Sequence, residues 1–349
     1  MMEIGSEYWE FEDELKNDNN EFWKIGQDVK FTLSGRTAIH FVLKNILLKK
    51  NIQKVYMPSY VCSSMIKPFE DFGIEIEYYD VYYNQGLKYN IDLECDCDIF
   101  FAMNYFGYSV TNMDEYIKKF KEKGKIVIED ITHSVLTDKR YSEFSDYLVG
   151  SLRKWFPINS GGIVASLNSK FDIELKEKSN EKLIDVKSQA MQNKRLYIKD
   201  KEGIKEKFLN QYAESNQILD MDYKDYSIDT KSYKIVMGID LEKIKNQRKK
   251  NAQIIYSKLK NNYNINFLID RMNNDDCLLF VPILLNNELR NNLRKYLIQN
   301  QIYLPVHWPL EEKINNIYTQ ELSLVCDQRY NEKQISDYID IIIKFLEIN

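Results

Sequence analysis

The chain is poor in residues that bind transition metals. Three histidines (His40, His133, His307) are spread over 349 residues, and the five cysteines (Cys62, Cys95, Cys97, Cys277, Cys326) are an odd number with no Cys-x-x-Cys pair. That spacing gives no zinc pattern, and free buried thiols are expected instead. Long hydrophobic runs are missing too: no window approaches about eighteen consecutive apolar residues, which argues against a transmembrane helix. The opening MMEIGSEYWEFEDEL is acidic and lacks the charged-then-apolar layout of a signal peptide, so a cytoplasmic location is expected. Positive charge is concentrated nowhere. The net charge is -5 and the lysines are dispersed, which argues against a nucleic-acid or membrane-surface partner.

What is present suits a globular protein with a large core: 44% apolar, 29% charged and 13% aromatic residues, including 25 tyrosines. Ser34 is the expected N-cap of a helix carrying Ala38, Ile39, Phe41, Val42, Ile46 and Leu47 at helical spacing. Strands are expected over 54–60, 74–81, 98–107, 125–130, 146–152 and 163–166. Helices fall between them, one over 63–73 ended by Gly73 and one over 111–124 capped by Thr111 and ended by Gly124. Charged helical sequence runs from about 170 to 235. A long helix follows over 238–260, then strands over 277–285 and 301–310, and an amphipathic helix over 332–348. Strands alternating with helices imply an α/β fold with a mostly parallel central sheet flanked by helices. Residues 1–238 are expected to form this large domain, with the 1–30 segment packing on it or on a partner. Residues 239–349 are expected to form a smaller α+β domain.

Ligands of parallel sheets sit beyond the carboxyl ends of the strands. That gathers Pro58 to Cys62, Asn104 to Gly107, Asp130 to His133 and Ser151 to Lys154 around one cleft. Lys154 follows an apolar strand and is flanked by Trp155 and Phe156, so partial desolvation, which suits imine chemistry, is expected. Asp130 ends the strand KIVIED with a carboxylate at the cleft, and His133 follows three residues later. Ser34-Gly35-Arg36-Thr37-Ala38 opens a helix whose free N–H groups and dipole favour a phosphate, supported by the Ser34 or Thr37 hydroxyl. Ser151 is a second phosphate donor, and Gly161-Gly162 lets backbone pass close to the lysine. Tyr60 is a candidate to lie against a flat ring, and equally a core residue. A lysine for an aldehyde, a carboxylate for a pyridine nitrogen, a phosphate cup and a flat packing surface are together what pyridoxal phosphate needs.

Five segments in order, SGRTA at 34–38, VYMPSY at 55–60, NYFG at 104–107, IEDITH at 128–133 and SLRKWFPINSGG at 151–162, carry a family resemblance. The chain resembles the fold-type-I pyridoxal-phosphate enzymes, and within them the DegT-like aminotransferases that act mostly on nucleotide-linked keto-sugars. The resemblance covers about residues 30 to 166, and more loosely the tail, where YLPVHWPL and SLVCDQRYNE fit the small domain. It implies that Lys154 holds the cofactor as an imine and shuttles protons, that Asp130 pairs with the pyridinium, and that His133 sits by the ring hydroxyl. It also implies that Ser151 and the backbone of Gly35, Arg36, Thr37 and Ala38 hold phosphate, with Asn104 in the cofactor site. The family's ring-stacking position falls near Cys62, so Tyr60 and Cys62 both stay open. A homodimer with active sites at the subunit interface is implied as well.

The chain departs from the family around the lysine. Gly-Glu-Gly-Gly is Asn159-Ser160-Gly161-Gly162 here, and Ser-Phe-His-x-x-Lys is the shorter Ser151-Leu152-Arg153-Lys154. The implied reaction moves an amino group from an amino acid, glutamate being the expected donor, to a keto-sugar, nucleotide-linked, in polysaccharide or secondary-metabolite biosynthesis. Two other readings remain. His307 and Arg329 are candidates to bind a substrate carboxylate, which would favour an amino-acid-like substrate and another reaction on the same cofactor. A non-catalytic relative would have lost Lys154 or Asp130, and both are present. A sugar-dehydrating branch replaces the lysine with histidine, which Lys154 argues against.

Overall fold

The computed structural model describes residues 3–308 and 316–348. Among these, eight strands make the main sheet: β1 (Asp28–Thr32), β2 (Lys54–Pro58), β3 (Glu75–Tyr83), β4 (Leu87–Asn90), β5 (Ile99–Met103), β6 (Ile126–Asp130), β7 (Tyr147–Ser151) and β8 (Gly162–Ser166). Their spatial order is β1-β8-β7-β6-β5-β2-β3-β4. The run from β7 to β3 is parallel, while β8, β1 and β4 pair antiparallel at its edges. The fold is therefore α/β with a mostly parallel sheet, as expected. β5 (IFFAM) and β6 (IVIED) are buried along their whole length. Near-continuous apolar runs of this kind belong to strands covered on both faces. Phe41, Val42 and Leu43 pack with Val55, Phe100 and Val127 in one core, and Trp23, Trp155, Phe156 and Val236 pack with Leu148 and Ile163 in another.

Helix α1 (Gly35–Leu47) starts as its sequence dictates: the Thr37 N–H donates to Ser34 Oγ at 3.2 Å. Helix α2 (Ser63–Asp71) stops before Gly73, whose φ of +68° favours a residue without a side chain. Thr111, expected to cap the next helix, does not. Helix α3 spans Asp114–Glu122 after Met113, because the Thr111 hydroxyl is committed to the Tyr105 and Tyr108 carbonyls at 3.1 and 2.8 Å. The strand expected over 74–81 runs on to Tyr83 and turns back as β4, a hairpin that the alternation did not reveal.

The charged stretch after β8 folds into helices α4 (Glu181–Arg195), α5 (Lys205–Met221) and α6 (Thr230–Gly238), followed by the long helix α7 (Leu241–Leu259) capped by Asp240. A three-stranded antiparallel sheet of Asn266–Phe267, Phe280–Leu284 and Glu321–Val325 packs with Asn287–Gln299 and Glu332–Ile348 in the C-terminal part. The strand expected over 301–310 is only Ile302–Tyr303 and pairs in parallel with Ile4–Gly5; Pro309 and Leu310 of that segment lie outside the described residues. No described helix is long and apolar enough to cross a membrane.

The start of β8 lies close to the start of α1. A Cβ on Gly162 would stand 2.3 Å from the Ser34 carbonyl and 2.5 Å from Thr32 Oγ1. Backbone atoms cannot yield as a side-chain tip can. Gly162→Ala is expected to destabilise the protein by about 3 kcal/mol, the upper range for an overpacked site, and a urea titration reads it as a lower midpoint with an unchanged slope.

Candidate functional site

The site forms where β6 and β7 end side by side. Their register sets Asp130 beside Val149, and the Ile131 N–H donates to the Val149 carbonyl at 2.8 Å. From there the two loops bond to each other. The Ser151 N–H donates to Thr132 Oγ1 at 2.9 Å, and the Trp155 indole donates to the Thr132 carbonyl at 2.6 Å. One 3-10 turn, Leu152–Lys154, then delivers the lysine, braced by the Leu152 N–H on the Gly161 carbonyl at 3.1 Å. Trp155 and Phe156 are buried, but Lys154 itself is exposed. The desolvation expected from its neighbours is thus absent from this chain, because those rings pack inward while the lysine side chain lies at the cleft.

Glu129 and Asp130 are consecutive strand residues and serve opposite faces. Glu129 accepts from Asn104 Nδ2, the Ser142 N–H and Ser145 Oγ at 2.8, 2.9 and 2.7 Å, and burial still raises its carboxyl to about 7. The Asn104 amide is thereby drawn to Glu129 and away from the cofactor role expected of it, although its Oδ1 is buried with no partner among the described residues. Asp130 is 3% exposed and accepts from the Thr132 N–H at 2.6 Å. Burial raises its carboxyl to about 6, with hydrogen bonds from Thr132 and the positive charge of Lys154 opposing the rise. His133 is buried, and its Nδ1 accepts from the Phe106 N–H at 3.0 Å. Burial, then His307 and Lys154, push its pKa well below the usual range. A neutral ring accepting at Nδ1 carries its proton on Nε2. The charge of Lys154 therefore acts on both Asp130 and His133, which ties the three into one site.

The phosphate cup is narrower than expected. Ala38 N–H is taken by the Ser34 carbonyl and Thr37 N–H by Ser34 Oγ, while the Thr37 hydroxyl donates to the Tyr223 carbonyl at 2.7 Å. The N–H groups of Gly35 and Arg36 remain for a ligand, and the Arg36 side chain turns to Asp220 at 2.7 Å. Gly35 lies against Ser151: a Cβ there would stand 3.1 Å from Ser151 Cβ. Helix start and serine thus share one corner.

Beyond this corner, His133 lies among rings. His133 lies 5.1 Å from Phe106, 5.5 Å from Trp308 and 6.2 Å from His307 between centroids. Tyr60 stacks on Tyr105 at 5.5 Å and meets Trp308 at 4.8 Å, whereas half-buried Cys62 stands 3.0 Å from Ser64 Oγ at the start of α2. Of the two ring-packing candidates, Tyr60 belongs to the aromatic group around His133. Trp308, which sequence spacing did not single out, belongs to it as well.

His307 and Arg329 do not present themselves to a substrate carboxylate. The His307 N–H donates to Glu321 at 2.7 Å, and its ring shares a 3.1 Å hydrogen bond with Ser323, so a buried carboxylate already stands beside it. Arg329 is held by Asp327 through Nε at 3.0 Å and Nη2 at 2.7 Å, and its Nη1 binds the Ser6 and Glu7 carbonyls. It clamps the N-terminal segment. Tyr8 continues that clamp, donating to the Trp155 carbonyl at 3.1 Å and accepting from Arg248 at 3.1 Å. Two cavities, about 450 and 240 Å³, meet here and share Glu7, Tyr8, Arg153 and Lys154. Glu7 and Tyr8 lie in a stretch without periodicity, so nothing in the sequence marked them.

No protein-family model matches the chain, and no curated protein does. Solved structures do. The aminotransferase PseC of Helicobacter pylori, involved in pseudoaminic acid biosynthesis, is 13% identical, with 99% of this chain and 100% of that one covered at a TM-score of 0.67. NtdA of Bacillus subtilis, solved with bound PMP cofactor, is 13% identical over 97% of this chain and 78% of its own, at a TM-score of 0.61. DesI, solved in the presence of its TDP-sugar product, is 11% identical over 96% and 85%, at a TM-score of 0.60. The chain has the fold of these enzymes, fold type I of the pyridoxal-phosphate-dependent proteins.

Proposed function

We propose that the protein is a pyridoxal-phosphate-dependent aminotransferase that moves an amino group from an amino acid, glutamate being the expected donor, to a nucleotide-linked keto-sugar. The observation that carries this reading is the convergence of Lys154, Asp130 and His133 at the ends of two adjacent parallel strands, beside the Gly35–Ser151 corner. The donor set fits the cofactor: a lysine amine, a buried carboxylate for the ring nitrogen, a neutral imidazole and a helix start for the phosphate. A sugar acceptor is supported by neighbours of the same fold, PseC, involved in pseudoaminic acid biosynthesis, and DesI, solved in the presence of its TDP-sugar product.

Bound there, pyridoxal phosphate supplies an electron sink that makes the carbon–hydrogen bond beside the amine acidic. Lys154 Nζ would hold it covalently and would carry a proton from the substrate carbon bearing the amine to the cofactor carbon joined to that nitrogen. Asp130 keeps the ring nitrogen protonated. His133, with its proton on Nε2, donates toward the ring hydroxyl, and Ser151 with the Gly35 and Arg36 N–H groups receives the phosphate. A homodimer belongs to the same reading, since Lys154 is exposed in the single chain and a second subunit would close the cleft over it.

Glutamate tests the proposal. Added to the cofactor-loaded protein, it is expected to convert the visible absorbance of the lysine-bound cofactor to that of the amine form, with 2-oxoglutarate released in equal amount. Absorbance unchanged by glutamate and by a panel of other amino acids would rule out amino transfer.

A further inference from the structure

Arg153 precedes Lys154 in the turn that departs from the family pattern, and it lines both cavities. Three arginines near it are committed. Arg36 is paired with Asp220, Arg329 with Asp327, and Arg248 with the Leu278 and Leu279 carbonyls, Gln328 and Tyr8. Arg153 differs: no hydrogen bond or ion pair of its side chain is found among the described residues, and its Nε is buried. The carboxylates whose field reaches it, Glu7 and Asp220, are paired with Lys187 and Arg36 instead. A half-buried guanidinium whose Nε is left in this condition calls for a ligand.

The smaller cavity supplies the setting. Its charged lining is Arg153, Lys154, Lys187 and Glu7, three cations against one carboxylate. Lys187 is 6% exposed and stands 3.1 Å from Glu7, while the Glu7 side chain is 47% exposed. The main chain of Glu7 is pinned, its carbonyl accepting from Lys194 at 2.5 Å and Arg329 at 3.1 Å. Its side chain can therefore rotate into solvent while the backbone stays. The Lys187 ammonium holds the Glu7 carboxyl down to about 2, so an anion occupies this position throughout the physiological range.

We propose that Arg153, backed by Lys187, is the anion-recognition site beside Lys154, and that Glu7 is a resident carboxylate which an incoming carboxylate or phosphate displaces. Where the anion binds follows from Arg153, Lys187 and Glu7 alone; that it belongs to an amino donor or to a phosphorylated acceptor rests on the aminotransferase reading. Placed one residue from the lysine, the guanidinium would orient the bound anion relative to Nζ.

Calorimetric titration of the cofactor-loaded protein tests this with two unreactive probes, glutarate (a dicarboxylate with no amine to transfer) and inorganic phosphate. The wild type is expected to bind one of them, glutarate pointing to the donor and phosphate to the acceptor. Arg153→Gln is expected to weaken that binding about tenfold or more, Arg153→Lys by less, and Glu7→Gln to strengthen it about threefold or more. Thermal unfolding checks that each variant folds; should Arg153→Gln fail, Arg153→Lys and Glu7→Gln decide. The proposal is overturned if the wild type binds neither probe, if a folded Arg153→Gln binds both as the wild type does, or if Glu7→Gln binds no more tightly. Probe binding does not require Lys154 chemistry, so intact binding with a failed glutamate reaction would count against the aminotransferase reading only.

Discussion

Lys154→Ala will abolish amino transfer, lowering turnover by about a thousandfold or more. On the proposed reading the variant loses the covalent tether of the cofactor and the group that carries the proton, and positioned proton transfer alone contributes about 10²- to 10⁴-fold. Folding should be little changed, because Lys154 is exposed while the turn that carries it is held by Leu152, Trp155 and Phe156. Unchanged thermal unfolding of the cofactor-free protein, together with lost activity and loosely held cofactor, is the expected pattern. Activity within a few-fold of the wild type would remove Lys154 from the chemistry.

Asp130→Asn should move two properties in opposite directions. In the cofactor-free protein the Asp130 carboxyl is raised from 3.8 to about 6 by burial. The folded state therefore holds a proton that the unfolded state releases between those values, and stability falls as pH rises through that window. The loss by neutral pH is up to about 3 kcal/mol. Asparagine cannot ionise and keeps the acceptor for the Thr132 N–H, so the cofactor-free variant should be more stable than the wild type at pH 7 and no more stable near pH 4. Cofactor binding should change the other way. A protonated ring nitrogen facing a neutral amide has lost its counter-charge, and truncating one partner of a buried charge pair costs about 2 to 5 kcal/mol, or about 30-fold to several thousandfold in affinity. In the wild type, affinity should weaken as pH falls through about 6, where a protonated Asp130 meets an already protonated ring nitrogen and one proton must leave. Denaturant melts and cofactor titrations at both pH values read the two effects separately. A variant that binds the cofactor as tightly as the wild type would place the ring nitrogen elsewhere.

Much of this was legible from local pattern. The helix start at Ser34, the strand ending at Asp130 and the apolar run leading to Lys154 each follow from a few neighbouring residues, and the α/β alternation puts their ends together. The misses are tertiary. Thr111 reads as a cap until Tyr105 and Tyr108 claim its hydroxyl, and Thr37 reads as a phosphate donor until Tyr223 does the same. Arg329 reads as a substrate cation, but Asp327, two residues before it, pairs with it while its remaining donors pin an N-terminal segment more than three hundred residues away. Glu7, Tyr8 and Trp308 reach the site through contacts between distant parts of the chain, for which spacing carries no signal. Arg153 was visible as a departure from a family motif, and only the partners of its neighbours show its guanidinium to be uncommitted.

Borohydride reduction of the protein incubated with pyridoxal phosphate, followed by peptide mass mapping, tests the central assignment most directly, since it fixes the cofactor to whichever lysine holds it. The expected result is stoichiometric pyridoxyl label on the peptide carrying Lys154, absent from Lys154→Ala. Label spread over surface lysines, or concentrated on a different one, would contradict the assignment.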